Sequence, residues 1–333
     1  MKKENRREFL VKLSAMTAVI LSPLPMVACK AGIQDKFGQL LPQRILGSTG
    51  EKVTMIGLGG AHAGQTEEME CERIIERAIE LGIRFFDTAE SYQDGISEER
   101  YGKYLTPKFR DHIFLLTKTR AKDAATAKEH LEGSLRRLKT DYLDLWKMHD
   151  IRSPGDVNDR LQNGVLETML KAQEEGKVRH IGFTGHATYK AHAHTLQVQE
   201  EFSTCLMPIN VADPSYESFI LNVMPELQKQ EYGIMAMKTL GAGGLMGAPS
   251  FYIDPEADRP NIIPDKISIE EALHFVWSLP VSTIISGCEM VEELEMNVKA
   301  ARSFVEMNEE QRNTLITKVS DLASTGNMEW YKE

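Results

Sequence analysis

The stretch "IFLLTKTRAKDAATAKEHLEGSLRRLKTDYLDLWKMHD", residues 113–150, contains the pattern that decides the fold. An apolar run stands at each end, and the segment between the runs has apolar residues at helical spacing. Both runs are almost continuously apolar, which is typical of strands buried on both faces of a parallel sheet. The stretch therefore predicts a strand, a helix and a second strand parallel to the first.

The same strand-then-helix pattern occurs eight times between residues 53 and 304. Eight alternating units predict a single α/β domain, a (β/α)8 or TIM barrel over residues 44–325, in which closure removes the edge strands. A doubly wound open sheet is the alternative, but the GxGxxG fingerprint of that fold does not follow the first strand. The sequence also predicts an N-terminal hairpin in "RILGSTGEKVT" and a C-terminal helix in "NEEQRNTLITKVSDLAS".

Composition and charge exclude several classes of protein. The 333 residues are 42% apolar and 26% charged, as in soluble globular proteins. The formal net charge of −10 argues against nucleic-acid binding, which requires a basic surface. Four widely separated cysteines without a CxxC motif predict neither a disulfide framework nor a zinc site. We therefore expect neither a bound metal nor a nucleic-acid partner.

Residues 1–28 have the composition of a signal peptide. The sequence "MKKENRREFLVKLSAMTAVILSPLPMVAC" has a basic start, an apolar centre and a small residue before Cys29. The apolar run of residues 13–21 is too short to be a membrane-spanning helix. We therefore expect an exported protein, in the periplasm or the cell envelope.

The signal also indicates a route of export. Arg6-Arg7 and the residues after them resemble a twin-arginine signal, so the twin-arginine export machinery is a predicted partner. "MVAC" resembles a lipobox, in which Cys29 is lipidated and anchors the protein to a membrane, and plain cleavage after Ala28 is the alternative. Residues 29–43 are predicted to be a tether.

Polar side chains end three successive predicted strands. Asp87, Lys118 and His149 are separated by 31 residues each, the length of one strand-helix unit. Catalytic side chains of such barrels lie at the C-terminal strand ends, and neighbouring strands lie about 4.8 Å apart. We therefore expect the three side chains to cluster at one rim, with Tyr92 in the loop just above the second strand.

These side chains have the chemistry of carbonyl reduction. A buried lysine beside a phenol favours the phenolate and lowers the pKa of the tyrosine, and a carboxylate keeps the amine charged and in place. A neutral histidine can donate a hydrogen bond to a carbonyl oxygen. Together they would stabilise and protonate an alkoxide, and the hydride requires a nicotinamide. Each residue alone fits a helix cap, a surface amine or a buried histidine, so the prediction rests on their joint occurrence.

Several segments resemble the aldo-keto reductase family over residues 44–304. "FFDTAESYQDGISEERYG" resembles the family signature, and "LTKTR" and "YLDLWKMHD" resemble its lysine and histidine segments. "IGFTGH" resembles a bacterial branch of the family. The resemblance implies that Tyr92 is the general acid/base, Lys118 tunes its pKa, Asp87 partners the lysine and His149 orients the carbonyl.

The resemblance also implies an NAD(P)(H) site at the mouth of the barrel. Backbone amides of Leu240 and Gly241 in "MKTLGAGGL" would bind the pyrophosphate, because glycines allow close approach and N–H groups form an anion site. A flexible loop is the alternative interpretation of these glycines. The residues implied in cofactor binding are Gly60, Thr184, Gly185, Asn210, Lys238, Leu240, Gly241, Gly287, Glu289, Glu293 and Asn297.

Two departures from the family pattern concern the cofactor. The fifth strand ends in Thr184-Gly185-His186 rather than the usual Ser-Asn, so Thr184, His186 or Asn210 would have to hold the nicotinamide carboxamide. Glu289 stands where members that use the phosphorylated cofactor tend to have Arg, Lys or Ser. An acidic residue there would repel a 2′-phosphate and accept hydrogen bonds from a free ribose. We therefore expect NAD(H) to be tolerated or preferred.

The sequence thus predicts an exported NAD(P)(H)-dependent reductase whose small-molecule substrate is an aldehyde, a ketone or a sugar carbonyl. A non-catalytic lipoprotein that binds a nucleotide or a partner on the same scaffold is an alternative, motivated by Gly185 and by Leu206, which stands where the family usually has a sixth-strand Gln. An elimination or epimerisation of a sugar, in which hydride leaves and returns, is a further alternative.

Overall fold

Eight parallel strands close into a barrel in this computed structural model, which describes residues 33–246 and 266–332. The strands of the described residues are β1 (Gln34–Asp35), β2 (Gly38–Gln39), β3 (Gln43–Ile45), β4 (Lys52–Thr54), β5 (Ile56–Gly59), β6 (Phe85–Asp87), β7 (Phe114–Thr119), β8 (Leu143–Met148), β9 (Val178–Thr184), β10 (Thr204–Pro208), β11 (Gly233–Met237) and β12 (Thr283–Gly287). The barrel consists of β5 to β12 in chain order, and β12 pairs with β5 to close it. The predicted (β/α)8 barrel is confirmed, and the alternative open sheet is wrong.

Helices pack around the barrel. Those of the described residues are α1 (Glu68–Glu80), α2 (Ile96–Tyr104), α3 (Thr106–Phe109), α4 (Ala124–Leu138), α5 (Pro154–Gln162), α6 (Val165–Glu174), α7 (Tyr189–Val198), α8 (Phe219–Asn222), α9 (Met224–Lys229), α10 (Ile269–Trp277), α11 (Val291–Arg302) and α12 (Glu309–Ala323). The predicted C-terminal helix is α12, which begins with a capping box between Asn308 and Gln311. None of the helices in the described ranges combines the length and apolarity needed to cross a membrane.

Side-chain alternation along the strands creates an apolar interior with a polar rim. Every residue of β7 and β8 is buried, because one face lines the barrel interior and the other packs beneath the helices. Phe114, Leu116 and Leu145 belong to the interior cluster. Because alternate residues share a face, Lys118 follows Phe114 and Leu116 on the inward row of β7, and Lys147 follows Leu145 on that of β8. The inward rows therefore change from apolar to charged at their C-terminal ends.

The predicted N-terminal hairpin closes the bottom of the barrel. Strands β3 and β4 pair in antiparallel register, and Leu46 and Val53 join the interior cluster. Gly47, in the turn, has a φ of +53°, and a Cβ there would collide with the backbone at Gly233, the first residue of β11. The turn therefore requires glycine.

The compact domain begins earlier than the sequence predicts. Strands β1 and β2 form a small ribbon, and the Arg84 guanidinium donates to both carboxylate oxygens of Asp35 at 2.7 and 2.9 Å. Leu41 is buried. The tether predicted for residues 29–43 is therefore wrong for residues 33–43, because the buried Arg84 needs its partner. The predicted signal peptide and Cys29 lie outside the described residues.

Candidate active site

The structure brings Asp87, Lys118 and His149 together at the C-terminal rim of the barrel. Asp87 ends β6, Lys118 lies in β7, and His149 follows β8. The Lys118 Nζ donates hydrogen bonds to Asp87 Oδ1 and to the Thr88 carbonyl, each at 2.7 Å. The side chains of Asp87 and Lys118 are 3% and 1% exposed. They form a buried acid–amine pair, which is stable only because the two charges are joined.

The phenol of Tyr92 lies against the same pair. Lys118 Nζ donates a hydrogen bond to Tyr92 OH at 3.0 Å, and the Tyr92 and His149 rings meet edge-on with 5.9 Å between centroids. Tyr92 opens a short 3₁₀ turn in which Gln93 and Asp94 have φ of 48° and 54°. Left-handed backbone is uncommon and strained for residues other than glycine. This turn holds the phenol above the strand ends.

Burial decides the protonation of Tyr92 and His149. Burial, followed by the Asp87 carboxylate, holds the pKa of Tyr92 well above its ordinary value. Burial, followed by the positive charges of Lys118 and Arg120, holds the pKa of His149 well below its ordinary value. At neutral pH both are uncharged and carry a proton to donate. The pKa of Tyr92 is therefore raised, in contrast to the lowering expected from the sequence, and burial is the largest cause.

The hydrogen bonds of this cluster have a direction that suits proton donation. Tyr92 OH accepts from the Lys118 ammonium, so its own proton points elsewhere. A phenolate left after proton transfer would lie 3.0 Å from that ammonium. The arrangement can therefore deliver a proton and stabilise the negative charge that remains.

Two glycines of the predicted cofactor site lie where a side chain does not fit. The N–H of Gly60 donates to the Asp87 carbonyl at 2.7 Å, and a Cβ on Gly60 would approach that carbonyl to 2.5 Å. A Cβ on Gly287 would overlap the ring of His62. Gly60 thus lets the end of β5 pack beside the acid–amine pair, and Gly287 makes room for the His62 ring from the loop after the neighbouring strand β5.

Glu289 and Glu293 shape the loop after β12. The Glu293 carboxylate accepts the Glu289 N–H at 2.8 Å. Glu289 Oε1 lies 3.2 Å from His62 Nδ1, and the Glu289 side chain remains 57% exposed. Asn297 is buried and donates to Ser286 Oγ at 3.1 Å. The Glu289 carboxylate therefore faces solvent, whereas Asn297 is used to hold the loop.

The segment after β11 has the backbone shape of an anion site. Lys238, Gly241, Ala242 and Gly243 have φ of 58°, 61°, 55° and 88°. Turns of this kind can direct N–H groups into a common concavity. The Gly241 N–H itself bonds to the Lys238 carbonyl at 2.8 Å, and Leu240 packs partly buried against the core. Burial lowers the pKa of Lys238 to about 8.

Packing explains the glycine at the end of β9. A Cβ on Gly185 would approach the Ile151 carbonyl to 2.5 Å and His192 Cε1 to 3.2 Å. The Thr184 carbonyl accepts the Ile151 N–H at 3.0 Å, and the Thr184 side chain is buried. The loop after β8 thus occupies the space that a longer side chain at Gly185 would need.

The side-chain amide of Asn210 is fully hydrogen-bonded to other residues of the protein. Its Oδ1 accepts the N–H groups of Ala212 and Asp213 at 2.8 and 3.0 Å. Its Nδ2 donates to Glu329 Oε1 at 2.9 Å and to Tyr331 OH at 3.0 Å. Asn210 anchors the C-terminal segment, which differs from the cofactor contact expected from the sequence.

Residues 327–332 form a part of the site that the sequence analysis missed, since the predicted domain ended at residue 325. Lys332 Nζ donates to Asp213 and to Glu329, each at 2.7 Å, and all three side chains are at most 1% exposed. Burying three charges is costly unless they are joined. The segment is therefore fixed in place at the end of β10.

This segment places Tyr331 at the mouth of the barrel. The Tyr331 and His186 rings meet edge-on at 6.1 Å between centroids, and Lys238 Nζ lies 5.8 Å from the Tyr331 centroid. Tyr331 thus stands between the strand ends that precede His186 and Lys238. No period or motif in "NMEWYKE" marks this role, because the contacts that dock the segment, to Asn210 and Asp213, are distant in sequence.

The comparisons with known proteins agree with this geometry. The model of the Aldo/keto reductase family matches residues 55–319. The chain belongs to this family. As an aldo-keto reductase it is an oxidoreductase, and the cofactors of the family are NAD(P)(H).

Relatives and solved structures extend the similarity over most of the chain. L-galactose dehydrogenase of Arabidopsis thaliana is 28% identical over 318 residues, which cover 86% of this aldo-keto reductase and 96% of the relative. The oxidoreductase YqkF of Bacillus subtilis (strain 168) is 26% identical over 292 residues, with 78% and 91% covered. The holo form of an aldo-keto reductase from Bacillus halodurans superimposes with a TM-score of 0.70 at 23% identity, covering 84% and 96%, and supports the fold.

Proposed function

We propose that this aldo-keto reductase uses NAD(P)(H) to reduce an aldehyde, a ketone or a sugar carbonyl, with Tyr92 as general acid/base. The observation that supports this most is the 3.0 Å hydrogen bond from Lys118 Nζ to Tyr92 OH beside the buried Asp87. The similarity to L-galactose dehydrogenase supports a sugar or another small carbonyl compound as substrate.

Four residues, called the tetrad below, have separate tasks in this proposal: Asp87, Tyr92, Lys118 and His149. Tyr92 gives its proton to the oxygen of the substrate carbonyl, and the Lys118 ammonium stabilises the phenolate that remains. Asp87 holds that ammonium in place. The neutral imidazole of His149 donates a hydrogen bond to the same substrate oxygen and orients it. The nicotinamide, when bound, supplies the hydride.

The residues after β11 and β12 fit the cofactor. The left-handed turn at Gly241 supports an anion site for the pyrophosphate. The exposed Glu289 carboxylate supports hydrogen bonding to a ribose. In this proposal Lys238 and Leu240 hold the pyrophosphate, whereas Gly241, whose N–H already donates to the Lys238 carbonyl, shapes the turn and does not donate as expected from the sequence. Gly287, Glu289, Glu293 and Asn297 border the adenosine. The remaining proposed cofactor residues, at the ends of β5 and β9, are Gly60, Thr184 and Gly185.

Two measurements on the purified protein test the function. Nucleotide that co-purifies is released by denaturation and identified by chromatography and mass spectrometry. The protein is then assayed with that nucleotide against a panel of aldehydes, ketones and sugars, by the absorbance of the reduced nicotinamide. We expect turnover of at least one class. A lack of turnover across the panel with both NADH and NADPH would contradict the proposal and favour the non-catalytic binding protein.

We expect this aldo-keto reductase to bind NADH more tightly than NADPH because of Glu289. Its carboxylate is 57% exposed, so a 2′-phosphate beside it would be repelled by a partly screened charge. Glu289→Gln should shift the NADPH-to-NADH affinity ratio by about fivefold towards NADPH, the order of one such interaction near a surface. Nicotinamide fluorescence titrations measure both constants, and Glu310→Gln on the exposed face of α12 is the control.

The Glu289 hypothesis fails on either of two results. Wild-type protein that binds NADPH about tenfold more tightly than NADH, a difference of about 1.4 kcal/mol, would contradict the preference. A ratio that is the same in Glu289→Gln and in wild type would show that another residue selects the cofactor.

Export by the twin-arginine machinery is also part of the proposal. The motif at Arg6-Arg7 supports it, because that route carries proteins that have folded before they cross. In a bacterial host with this machinery, wild-type protein should fractionate with the periplasm or envelope, and a variant with Arg6→Lys and Arg7→Lys should stay in the cytoplasm. Cys29→Ala should release it from the membrane if Cys29 is lipidated. Equal export of both forms would reject the twin-arginine route.

A further inference from the structure

A group of cationic side chains surrounds one carboxylate beside the tetrad. Asp150 follows His149 directly and has a φ of 57°, a strained conformation for a residue other than glycine. Its carboxylate lies 3.5 Å from Arg120 Nη2, 3.3 Å from Arg152 Nη2 and 3.4 Å from His186 Nε2. Three side chains that are or can become cations thus share one anionic group.

The exposed fractions of these side chains show which charges reach solvent at the mouth of the barrel. The Asp150 side chain is 7% exposed, whereas those of Arg120 and Arg152 are each 51% exposed and that of His186 is 26% exposed. The negative charge is therefore buried beneath guanidinium groups that reach solvent. The two most exposed groups of this rim are therefore cationic, although the chain as a whole has a formal charge of −10. Exposed cationic groups attract and orient anionic ligands.

Arg120 is the member of this group closest in the chain to the reacting residues. It follows Lys118 by two positions, at the end of β7. Its charge acts on both Tyr92 and His149: it opposes the burial that raises the pKa of Tyr92, and it adds to the burial that lowers the pKa of His149. The Arg120 charge is therefore felt at both side chains that would face a substrate carbonyl.

The position of Arg120 and Asp150 in the barrel separates them from the segments proposed to hold the pyrophosphate and the adenosine. Arg120 and Asp150 follow β7 and β8, whereas the segments proposed to hold the cofactor follow β11 and β12. In the closed order these strand pairs stand four places apart, on opposite sides of an eight-stranded barrel. The guanidinium of Arg120 thus faces the substrate side and not the side of the cofactor phosphates.

We propose that Arg120 binds an anionic group of the substrate, and that the substrates are carbonyl compounds that also carry a carboxylate or a phosphate. A guanidinium presents two parallel N–H donors that match either group, and Asp150 holds it in position from below. This inference rests on the proposed function, because the anion is recognised at the same time as the carbonyl is reduced.

Matched substrates test this inference. D-glucuronate, D-glucose 6-phosphate and D-glucose share one aldose carbonyl and differ in the group at carbon 6, which separates carboxylate, phosphate and neutral substrates. 4-Carboxybenzaldehyde and benzaldehyde form a second pair. Wild-type kcat/KM should favour an anionic member over its neutral partner by at least about tenfold, the effect of one charge-assisted hydrogen bond. Salt should reduce this preference.

Substitution then assigns the preference to Arg120. Arg120→Gln should lower the anionic-to-neutral ratio of kcat/KM by about 10- to 100-fold, mainly through KM, and Arg120→Lys should keep part of it. Arg136→Gln removes the same charge from an exposed position in the last turn of α4 and should leave the ratio as in wild type. An equal ratio in wild type and Arg120→Gln, or neutral partners that are turned over as well as anionic ones, overturns the inference. If wild type turns over none of these compounds and no member of the wider panel with either nucleotide, the proposed function has failed and this inference falls with it; turnover of only neutral panel members overturns this inference alone.

Discussion

Tyr92→Phe is expected to lower kcat for carbonyl reduction by about 10²- to 10⁴-fold, the range that a positioned general acid contributes. The variant keeps the ring that meets His149 edge-on and loses only the hydroxyl that accepts from Lys118. Because burial and Asp87 keep this phenol protonated, it is the group that carries the proton to be delivered. Without this hydroxyl, no proton is delivered to the carbonyl oxygen when the hydride reaches the carbonyl carbon. Steady-state assays and single-turnover measurements with saturating cofactor check the loss.

The same variant should remain folded and should bind the nucleotide. Loss of one hydrogen bond should reduce the free energy of unfolding by about 1–2 kcal/mol. Tyr101→Phe is the matched control: Tyr101 is buried in α2, and its hydroxyl has no hydrogen-bond partner among the described residues. This control should keep wild-type turnover. If Tyr92→Phe reduced carbonyls at the wild-type rate, Tyr92 would not be the acid, and another donor at the mouth would have to be sought.

The barrel and the tetrad cluster were accessible from the sequence because they depend on local periodicity. A buried parallel strand is an apolar run, and its inward row ends where a charged residue replaces an apolar one, as Lys118 follows Leu116. One unit of 31 residues then brings the next such residue to the same rim. Closure of the barrel supplies the remaining geometry, so Asp87 and His149 could be placed without knowledge of any contact.

The contacts that the sequence did not reveal are those between distant segments. Asn210 is 119 residues from Glu329, and nothing near either residue indicates the other. From the sequence, Gly185 lacks the Asn side chain that the family usually has at this position. In the structure, Ile151 and His192 occupy the space that such a side chain would need. The direction of the Tyr92 pKa differs from the expectation for a related reason: burial, its largest cause, is a property of the whole fold.

Lys118→Met is expected to reduce the free energy of unfolding by about 3–5 kcal/mol and to abolish carbonyl reduction, because it leaves a carboxylate buried without its ammonium. Asp87 Oδ1 would lose the 2.7 Å bond, and Asp87 Oδ2 already has no hydrogen-bond partner among the described residues. Unfolding in denaturant, followed by tryptophan fluorescence, measures the change. Adding Asp87→Asn should restore most of the stability, since no unpaired charge remains, but not the activity.

Lys147→Met is the comparison that distinguishes the loss of a paired buried lysine from the loss of a buried lysine that has no carboxylate partner. Lys147 is paired in register with Lys118 and is equally buried, but its Nζ contacts Met235 Sδ at 3.4 Å rather than a carboxylate. Burial lowers its pKa to about 7, so at pH 8 the folded protein holds mostly a neutral amine, whereas the unfolded chain, with a lysine pKa of about 10.4, holds an ammonium. Folding therefore has to remove a proton, and methionine removes that cost. Lys147→Met should be neutral or stabilising at pH 8. A loss equal to that of Lys118→Met would mean that both amines pair with Asp87, and that the carboxylate is shared rather than dedicated to Lys118.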